Sequence, residues 1–438
     1  MRKTAIAVFM ASFALLWISS CSGLVEYDKY TDQEIQKKTI RLACYYLDSY
    51  ITRMVYDFNR LNDEYVIEIV DYCKYDDVVM KLNTEVLAGN GPDMFAWGMG
   101  RLNPLDTNIY SAAGVLVDLH RLMGNDPDFD CGTLLPNLIA ALETSNGALY
   151  EIPTEFIVQL FASSTDVVGE EPGWTFDEYF ALIDKYPHAT LPFGAINWQS
   201  FFGLCIGNNY ATLINWEMGE CYFESELFIR LLEMVSIYDT PITESILPIK
   251  LVQEGRQLIS SNAIGGVSSI QKFPALFGSE VNYIGFPTEK GIGNSFVIRN
   301  SVSINSNSEH IDECWRFLKS LVTYEAQIEN AQVFPINNEA LRERVFNAPL
   351  YEEEGASITY KDGEGDTWSV VFKDATHEES ALVFELISSC DRVHRENWYI
   401  QKIIEEEAPA FFSGIKSAYE VAHVIQNKVQ LFISEQSR

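Results

Sequence analysis

The side chains best suited to ligand chemistry in this chain are aromatic residues at the ends of predicted strands. Tyr45 and Tyr46 close one apolar segment, and Trp97 closes another that begins at Met94. Aromatic faces of this kind stack on flat or sugar-like rings, which makes these three residues candidate ligand contacts. For each of them the alternative is packing in the core.

Motifs for covalent or metal chemistry are absent from the sequence. The segment GVSSI at 266–270 lacks the final glycine of a nucleophile elbow, and GIGNS at 291–295 lacks the lysine of a phosphate-binding loop. The six histidines are dispersed, and the cysteines show no zinc-like spacing. We therefore expect no metal, no cofactor and no catalytic residue, although the carboxylate pair of a glycoside hydrolase would leave no such motif.

Composition narrows the class of partner. The formal net charge is −31, and a surplus of acidic residues argues against nucleic acid, which requires Lys and Arg. Hydrophobic residues make up 47% of the chain, enough for a large core. Because 438 residues exceed one typical domain, we expect two lobes within a monomer.

The N-terminus carries an export signal. Arg2 and Lys3 precede an apolar run over 4–18, which is shorter than the ~20 residues of a membrane-spanning helix. The run ends in ISSC at 18–21, which resembles the bacterial lipobox, in which the cysteine receives a lipid.

This N-terminal pattern predicts how the protein is located. We expect a lipoprotein signal peptide over 1–20, lipid attachment at Cys21 and a polar tether over 21–38. The body would then be anchored at the extracytoplasmic face of a bacterial cell membrane by its lipid. The alternative is an ordinary signal peptide with a chance cysteine.

Strands and helices alternate after the tether. Strand-like segments at 39–46, 65–70 and 94–97 are separated by helical patterns. Connections this long exclude hairpins, so the pattern predicts a parallel sheet with ligands beyond the carboxyl ends of its strands. The segment 352–368, rich in glycine and acidic residues, is predicted to be a loop insertion.

Several short motifs occur in the order known from one protein family. Together they resemble extracellular solute-binding proteins of family 1, the sugar-binding lipoproteins of ABC importers. The segments that carry the resemblance are 71–77, 81–85, 88–93, 149–154, 173–175, 285–288, 303–308, 314–319 and 334–337.

The resemblance implies an α/β fold with two lobes, the type II periplasmic-binding-protein-like architecture. Each lobe would be a mainly parallel sheet flanked by helices, with a cleft between the lobes. Lobe 1 is expected over 39–152 and about 296–338, and lobe 2 over 153–295 and about 339–438. Hinge closure over a carbohydrate, an oligosaccharide in the first instance, would present the ligand to an ABC permease.

The implied cleft adds further candidate ligand contacts. Glu155 follows the first crossover between the lobes, and Asn294 follows the return crossover. Trp198 lies in a loop of the second lobe, while Ser268 and Ser269 follow a short strand. The alternative for Glu155 is an exposed charge.

Two other functions are compatible with the same sequence. One is an exported carbohydrate hydrolase that uses a carboxylate pair in the cleft. The other is a sensor lipoprotein that presents its ligand to a membrane kinase. The missing catalytic motifs favour binding over turnover.

Overall fold

The predicted body of the chain is covered by the structure, and the predicted export signal is not. The computed structural model describes residues 37–44, 49–72, 78–98, 106–238, 246–288, 293–353 and 355–436. Lys38–Arg438 form one compact unit. The signal peptide, Cys21, Tyr45 and Tyr46 lie outside the described residues, so what the sequence indicates about them stays a prediction.

Short strands and many helices alternate along the described residues. In chain order the strands are β1 (Lys38–Cys44), β2 (Tyr65–Asp71), β3 (Met94–Gly98), β4 (Ile152–Ser164), β5 (Ile214–Asn215), β6 (Glu220–Cys221), β7 (Ile259–Ile264), β8 (Val281–Tyr283), β9 (Ser295–Ile304), β10 (Phe334–Pro335), β11 (Ser357–Lys361) and β12 (Thr367–Val371).

The helices are α1 (Ser49–Leu61), α2 (Val78–Leu87), α3 (Thr107–Ala112), α4 (Leu119–Asn125), α5 (Pro136–Leu142), α6 (Thr165–Val168), α7 (Phe176–Lys185), α8 (Trp198–Asn208), α9 (Tyr210–Leu213), α10 (Glu226–Ser236), α11 (Pro248–Gln253), α12 (Lys272–Phe277), α13 (Ile311–Ser320), α14 (Tyr324–Asn330), α15 (Asn338–Phe346), α16 (His377–Ser388), α17 (Trp398–Glu407), α18 (Pro409–Phe412) and α19 (Ala418–Gln436).

The N-terminal βαβαβ unit forms as the sequence pattern predicts. The buried residues Tyr50, Ile51 and Val55 lie on one face of α1, between the parallel strands β1 and β2. After α2, Gly89 adopts a φ of 72°, the left-handed conformation that ends a helix and that glycine takes without strain. β3 then pairs in parallel with β1.

Beyond this unit the sheet is mixed, which corrects the expectation of mainly parallel pairing. The eight-stranded sheet has the order β10-β4-β9-β3-β1-β2, with β7 and β8 also paired to β4. β9 runs antiparallel to β3 and to β4, and β7, β8 and β10 run antiparallel to β4.

Two large apolar cores lie on the long strand β4. Phe156, Val158 and Leu160 of β4 belong to one core, which also contains β1, α1, α13 and α16 side chains. Phe161 of β4 belongs to the other, built mainly from α7, α8, α10, α17 and α19. β4 therefore contributes to both cores, as does β7 through Ile264 and Ile259.

The acidic segment near residue 360 is a hairpin, so the predicted loop insertion is wrong there. β11 and β12 pair antiparallel, and the rings of Tyr360 and Trp368 stack with centroids 5.1 Å apart. Lys250 of α11 binds Asp362 and Asp366 at the hairpin's tip, each at 2.9 Å. None of the described helices is long and apolar enough to span a membrane.

Candidate functional site

A cavity of ≈ 560 Å³ lies over the face of three neighbouring strands. Its floor contains Val297 of β9, the register partner Ile157 of β4, and Gln159 of β4 opposite Ala263 of β7. Alternate residues of a strand share a face, so these side chains form one surface. The volume is within the ~300–1,000 Å³ typical of small-molecule sites.

The walls of the cavity come from segments that are distant in sequence. α8 contributes Ser200 and Leu204, and the end of β3 contributes Trp97. The other wall residues of the described chain are Gly98, Asp106, Thr107, Asn108, Glu151, Ile196, Ser261, Ile298, Ser301, Val393, His394, Arg395 and Glu396.

An ion pair between Glu151 and Arg395 forms the most strongly charged part of the wall. The Arg395 guanidinium donates to Glu151 Oε1 at 2.6 Å, and the carboxylate also accepts from Ser301 and, at 3.5 Å, from Thr107. The Glu151 side chain is 5% exposed and the Arg395 side chain 22%. Burial lowers the pKa of Arg395, but the charge and hydrogen bond of Glu151 outweigh it and hold that pKa above its ordinary value.

Asp106 carries the second organised carboxylate of the wall. It begins α3, where Oδ1 accepts from the Asn108 backbone N–H at 2.9 Å. Its Oδ2 accepts from Asn397 at 2.7 Å and from the Tyr210 hydroxyl at 3.1 Å. Burial raises the pKa of Tyr210 well above its ordinary value, and the Asp106 charge adds to the effect, so the phenol stays a donor. Both carboxylates are thus held by several donors.

His394 is fixed in the wall by a glycine. An added Cβ at Gly207 of α8 would lie 2.0 Å from His394 Cε1, so only glycine leaves room for the ring at this position. The ring's Nε2 lies 3.3 Å from a carboxylate oxygen of Glu396, while Nδ1 is buried with no hydrogen-bond partner. His394 is therefore a side chain with unused hydrogen-bonding capacity in the cavity wall.

Among the predicted site residues that the structure describes, Trp97 is the one that lines this cavity. Its ring stacks on Phe95 with centroids 5.3 Å apart and is tilted against Tyr110. The indole N–H donates to the Ser303 hydroxyl at 2.6 Å. Trp97 is 5% exposed, so these contacts leave little of the ring open to the cavity.

Glu155 lies away from the cavity, and a β-bulge explains its direction. The pairing of β4 with β9 shifts register on both sides of Glu155, which breaks the alternation that would place it beside Ile157. Its Oε2 accepts from the backbone N–H groups of Gln332 and Val333, at 2.8 and 3.4 Å. The side chain is 1% exposed, so the alternative of an exposed charge is wrong.

Trp198 and Asn294 are also placed outside the cavity lining. Trp198 begins α8, and its ring packs edge-to-face on Phe412 with centroids 5.2 Å apart. Asn294 is fully buried and donates to the Ser389 hydroxyl at 3.2 Å.

Ser268 and Ser269 lie in a 3₁₀ turn rather than in the cavity. The backbone N–H of Ser268 donates to Glu352 at 2.8 Å, and the Ser269 hydroxyl donates to the Gly266 carbonyl at 2.6 Å. Ligand contact by these two serines, and by Glu155, Trp198 and Asn294, therefore has no support from the cavity geometry.

The polar residues that do meet in the cavity were not among the sequence candidates. Glu151 belongs to the motif at 149–154, which was a usable signal, whereas Asp106 and Arg395 lie in segments without any motif. Among the described residues no group of three or more His, Cys, Asp or Glu side chains is arranged to hold a metal ion.

Known proteins share this fold. A solved ABC substrate-binding protein from Listeria monocytogenes in complex with cycloalternan is 17% identical, with a TM-score of 0.51 over 91% of this chain and 99% of that one. An ABC transporter solute-binding protein from Thermotoga lettingae bound with α-D-tagatose is 14% identical, with a TM-score of 0.51 over 91% and 100%. A de novo designed cysteine esterase is 15% identical, with a TM-score of 0.58 over 92% and 99%.

Sequence comparison identifies the family. No curated protein matches the chain in sequence. Residues 53–352 match the family described as bacterial extracellular solute-binding protein. The chain belongs to this family of extracellular binding proteins, and its fold is that of the two-lobe periplasmic binding proteins.

Proposed function

We propose that the chain is a lipid-anchored receptor that binds a carbohydrate, an oligosaccharide in the first instance, and delivers it to an ABC permease. The observation that carries the proposal is the cavity on the shared strands β4 and β9, with organised polar groups in its wall. Carboxylates and a guanidinium held by several hydrogen bonds are suited to bind hydroxyls without reacting with them. Membership of a binding-protein family supports the same reading.

The carbohydrate part of the proposal draws on similar structures. Their descriptions name cycloalternan for one protein and α-D-tagatose for another. The wall of this cavity offers groups suited to a sugar, because Glu151, Arg395, Asp106 and Asn108 supply acceptors and donors near Trp97. Closure of lobe 1 (39–152 and about 296–338) on lobe 2 would bury the ligand and present it to the permease.

A sugar panel tests the proposal. Glucose, maltose, maltotriose, cellobiose and xylobiose, together with their methyl glycosides, are titrated into the purified body while tryptophan fluorescence is recorded. We expect at least one sugar to bind saturably. Chromatography should recover every sugar unchanged. Hydrolysis of a bound sugar would establish the hydrolase alternative instead, and Asp106 and Glu151 would be its first candidates.

The lipid anchor is tested separately. Full-length protein and Cys21→Ala are expressed in a bacterium, and each is partitioned between detergent and aqueous phases. The wild type is expected in the detergent phase with the mass of an attached lipid, and Cys21→Ala in the aqueous phase. Equal partitioning of both forms would contradict lipidation at Cys21.

Transport of the ligand only when a cognate permease is present would separate an importer from a sensor.

A further inference from the structure

The cavity differs in character along its length. Ser301 and Val297 both line it and lie four residues apart on β9, a separation of ~13 Å at about 3.3 Å per residue. Ser301 pairs in register with Trp97 and donates to Glu151. Val297 pairs in register with Ile157. The Ser301 side is the polar end of the cavity, and the Val297 side is its aliphatic end. Gln159 and Ser261 also lie on the Val297 side, where the Gln159 amide donates to the Ser261 hydroxyl at 3.1 Å.

The aliphatic end is built by separate parts of the chain that converge. Four aliphatic side chains in the lining are only partly buried: Ile157, Ile196, Leu204 and Val297. They come from β4, β9 and α8 with the residues before it. Ile298 also borders the cavity, but it pairs in register with the buried Phe156 and packs, like Val393, against the first core. A single exposed aliphatic residue is ordinary, but four that meet in one concave site form an apolar binding surface.

The polar end has the opposite composition. Glu151, Arg395 and Asp106 supply charge there, and Thr107 and Asn108 begin α3 beside them. A ligand that fills both ends must therefore present hydroxyls to one and hydrocarbon to the other. An unsubstituted saccharide carries hydroxyls on all sides, and those placed against the aliphatic end would lose hydrogen bonds to water without replacement.

We propose that the ligand is a saccharide carrying an aliphatic substituent, with its hydroxyls at the polar end and an alkyl or acyl group on the aliphatic end. This inference rests on the proposed function, because the polar end is taken to bind sugar. The aliphatic end then selects substituted over unsubstituted saccharides.

The test compares chain length at constant sugar. The methyl, butyl and hexyl glycosides of the five sugars in the panel are titrated by isothermal calorimetry, below the concentrations at which they form micelles. Addition of methylenes to a ligand in an apolar pocket raises affinity by about 10-fold or more. We expect the hexyl glycoside of at least one sugar to bind about 10-fold more tightly than its methyl glycoside.

Variants assign the effect to the aliphatic end. Val297→Thr replaces a methyl by a hydroxyl at nearly constant shape, and Leu204→Gln introduces an amide on α8 without touching the sheet. Both should reduce the ratio of the methyl-glycoside Kd to the hexyl-glycoside Kd, whatever change each makes in the Kd of the methyl glycoside itself. Val371→Thr, the same substitution at a residue of β12 that is 60% exposed, is the control and should keep the full gain.

The outcomes separate the two proposals. Equal affinities for methyl and hexyl glycosides would overturn the inference and leave the sugar receptor standing. A chain-length gain that survives both cavity variants would also overturn it, because the alkyl group would then bind elsewhere. If no sugar and no glycoside binds at all, the proposed function falls together with the inference.

Discussion

Glu151 is the residue on which the polar end of the cavity depends. Glu151→Gln keeps the shape of the side chain but removes the carboxylate that binds the Arg395 guanidinium, which is 22% exposed. We expect the free energy of unfolding to fall by about 1–3 kcal/mol, the usual effect of an unsatisfied buried partner. Urea unfolding measures the change. Glu64→Gln, which breaks an exposed pair with Lys38, should unfold like the wild type; equal losses in both variants would contradict the buried-pair argument.

Lys272 provides a prediction about alkaline pH. It is buried, and desolvation lowers its pKa to about 8 from 10.5, although its ammonium donates to the Ala263 carbonyl at 2.6 Å. Between these two values the unfolded chain binds more protons than the folded one, so the contribution of Lys272 to stability is unfavourable below pH 8 and improves as pH rises.

Replacement of Lys272 by methionine removes this pH-dependent contribution. At pH 7 we expect Lys272→Met to be more stable than the wild type, by up to about 3 kcal/mol. The difference should shrink as pH rises from 8 toward 10.5 and can be followed by urea unfolding at fixed pH values. Lys373→Met, at an exposed position, serves as control for other titrating groups, and a pH-independent difference at Lys272 would refute the argument.

Glu151 and Glu155 also illustrate which parts of the site the sequence can predict. Both residues lie near the start of β4, and a strict two-residue alternation would place Glu155 on the same face as Ile157. The bulge at Glu155 directs its side chain away from the face of Ile157, and no local sequence pattern predicts this bulge. Arg395 and Asp106 were missed because they reach the cavity only through tertiary packing of segments far apart in the chain.

At the scale of elements, α8 packs against the His394 ring only because residue 207 is a glycine. Alanine is the better helix former, but the Cβ of Gly207→Ala would meet the His394 ring at 2.0 Å. We expect this overpacking to lower the free energy of unfolding by about 1–3 kcal/mol and to weaken ligand binding by displacing His394.

A glycine in another helix, Gly124, provides the matched control for Gly207→Ala. Gly124 lies in α4, where an added Cβ meets nothing within 4 Å. Gly124→Ala should therefore unfold at the same temperature as the wild type or a higher one. Thermal unfolding of both variants and a sugar titration check the prediction, which fails if Gly207→Ala is as stable as Gly124→Ala.

Elements were predictable where their signal is local. The βαβαβ unit follows from apolar periodicity, and Gly89 ends its second helix. The hairpin of β11 and β12 was missed because glycine and acidic residues at its tip outweighed the alternation on either side. The antiparallel course of β9 was missed because strand direction depends on long-range pairing, which periodicity does not report.

For the whole molecule, β4 is a strand that contributes to both cores and forms the cavity floor with β9 and β7. Bending near these strands would change the cavity without unfolding either core. A ligand that contacts the floor and the walls together favours the conformation in which they are closest.

Ligand-induced closure is therefore expected for the purified body. With the tightest sugar of the panel at 100 times its Kd, the radius of gyration from small-angle X-ray scattering should decrease, and the free energy of unfolding should rise by about 2.7 kcal/mol. A sugar from the panel that does not bind serves as control and should change neither quantity. A rise in stability at constant radius of gyration would mean that the ligand binds without closure, because stabilisation requires only binding to the folded state.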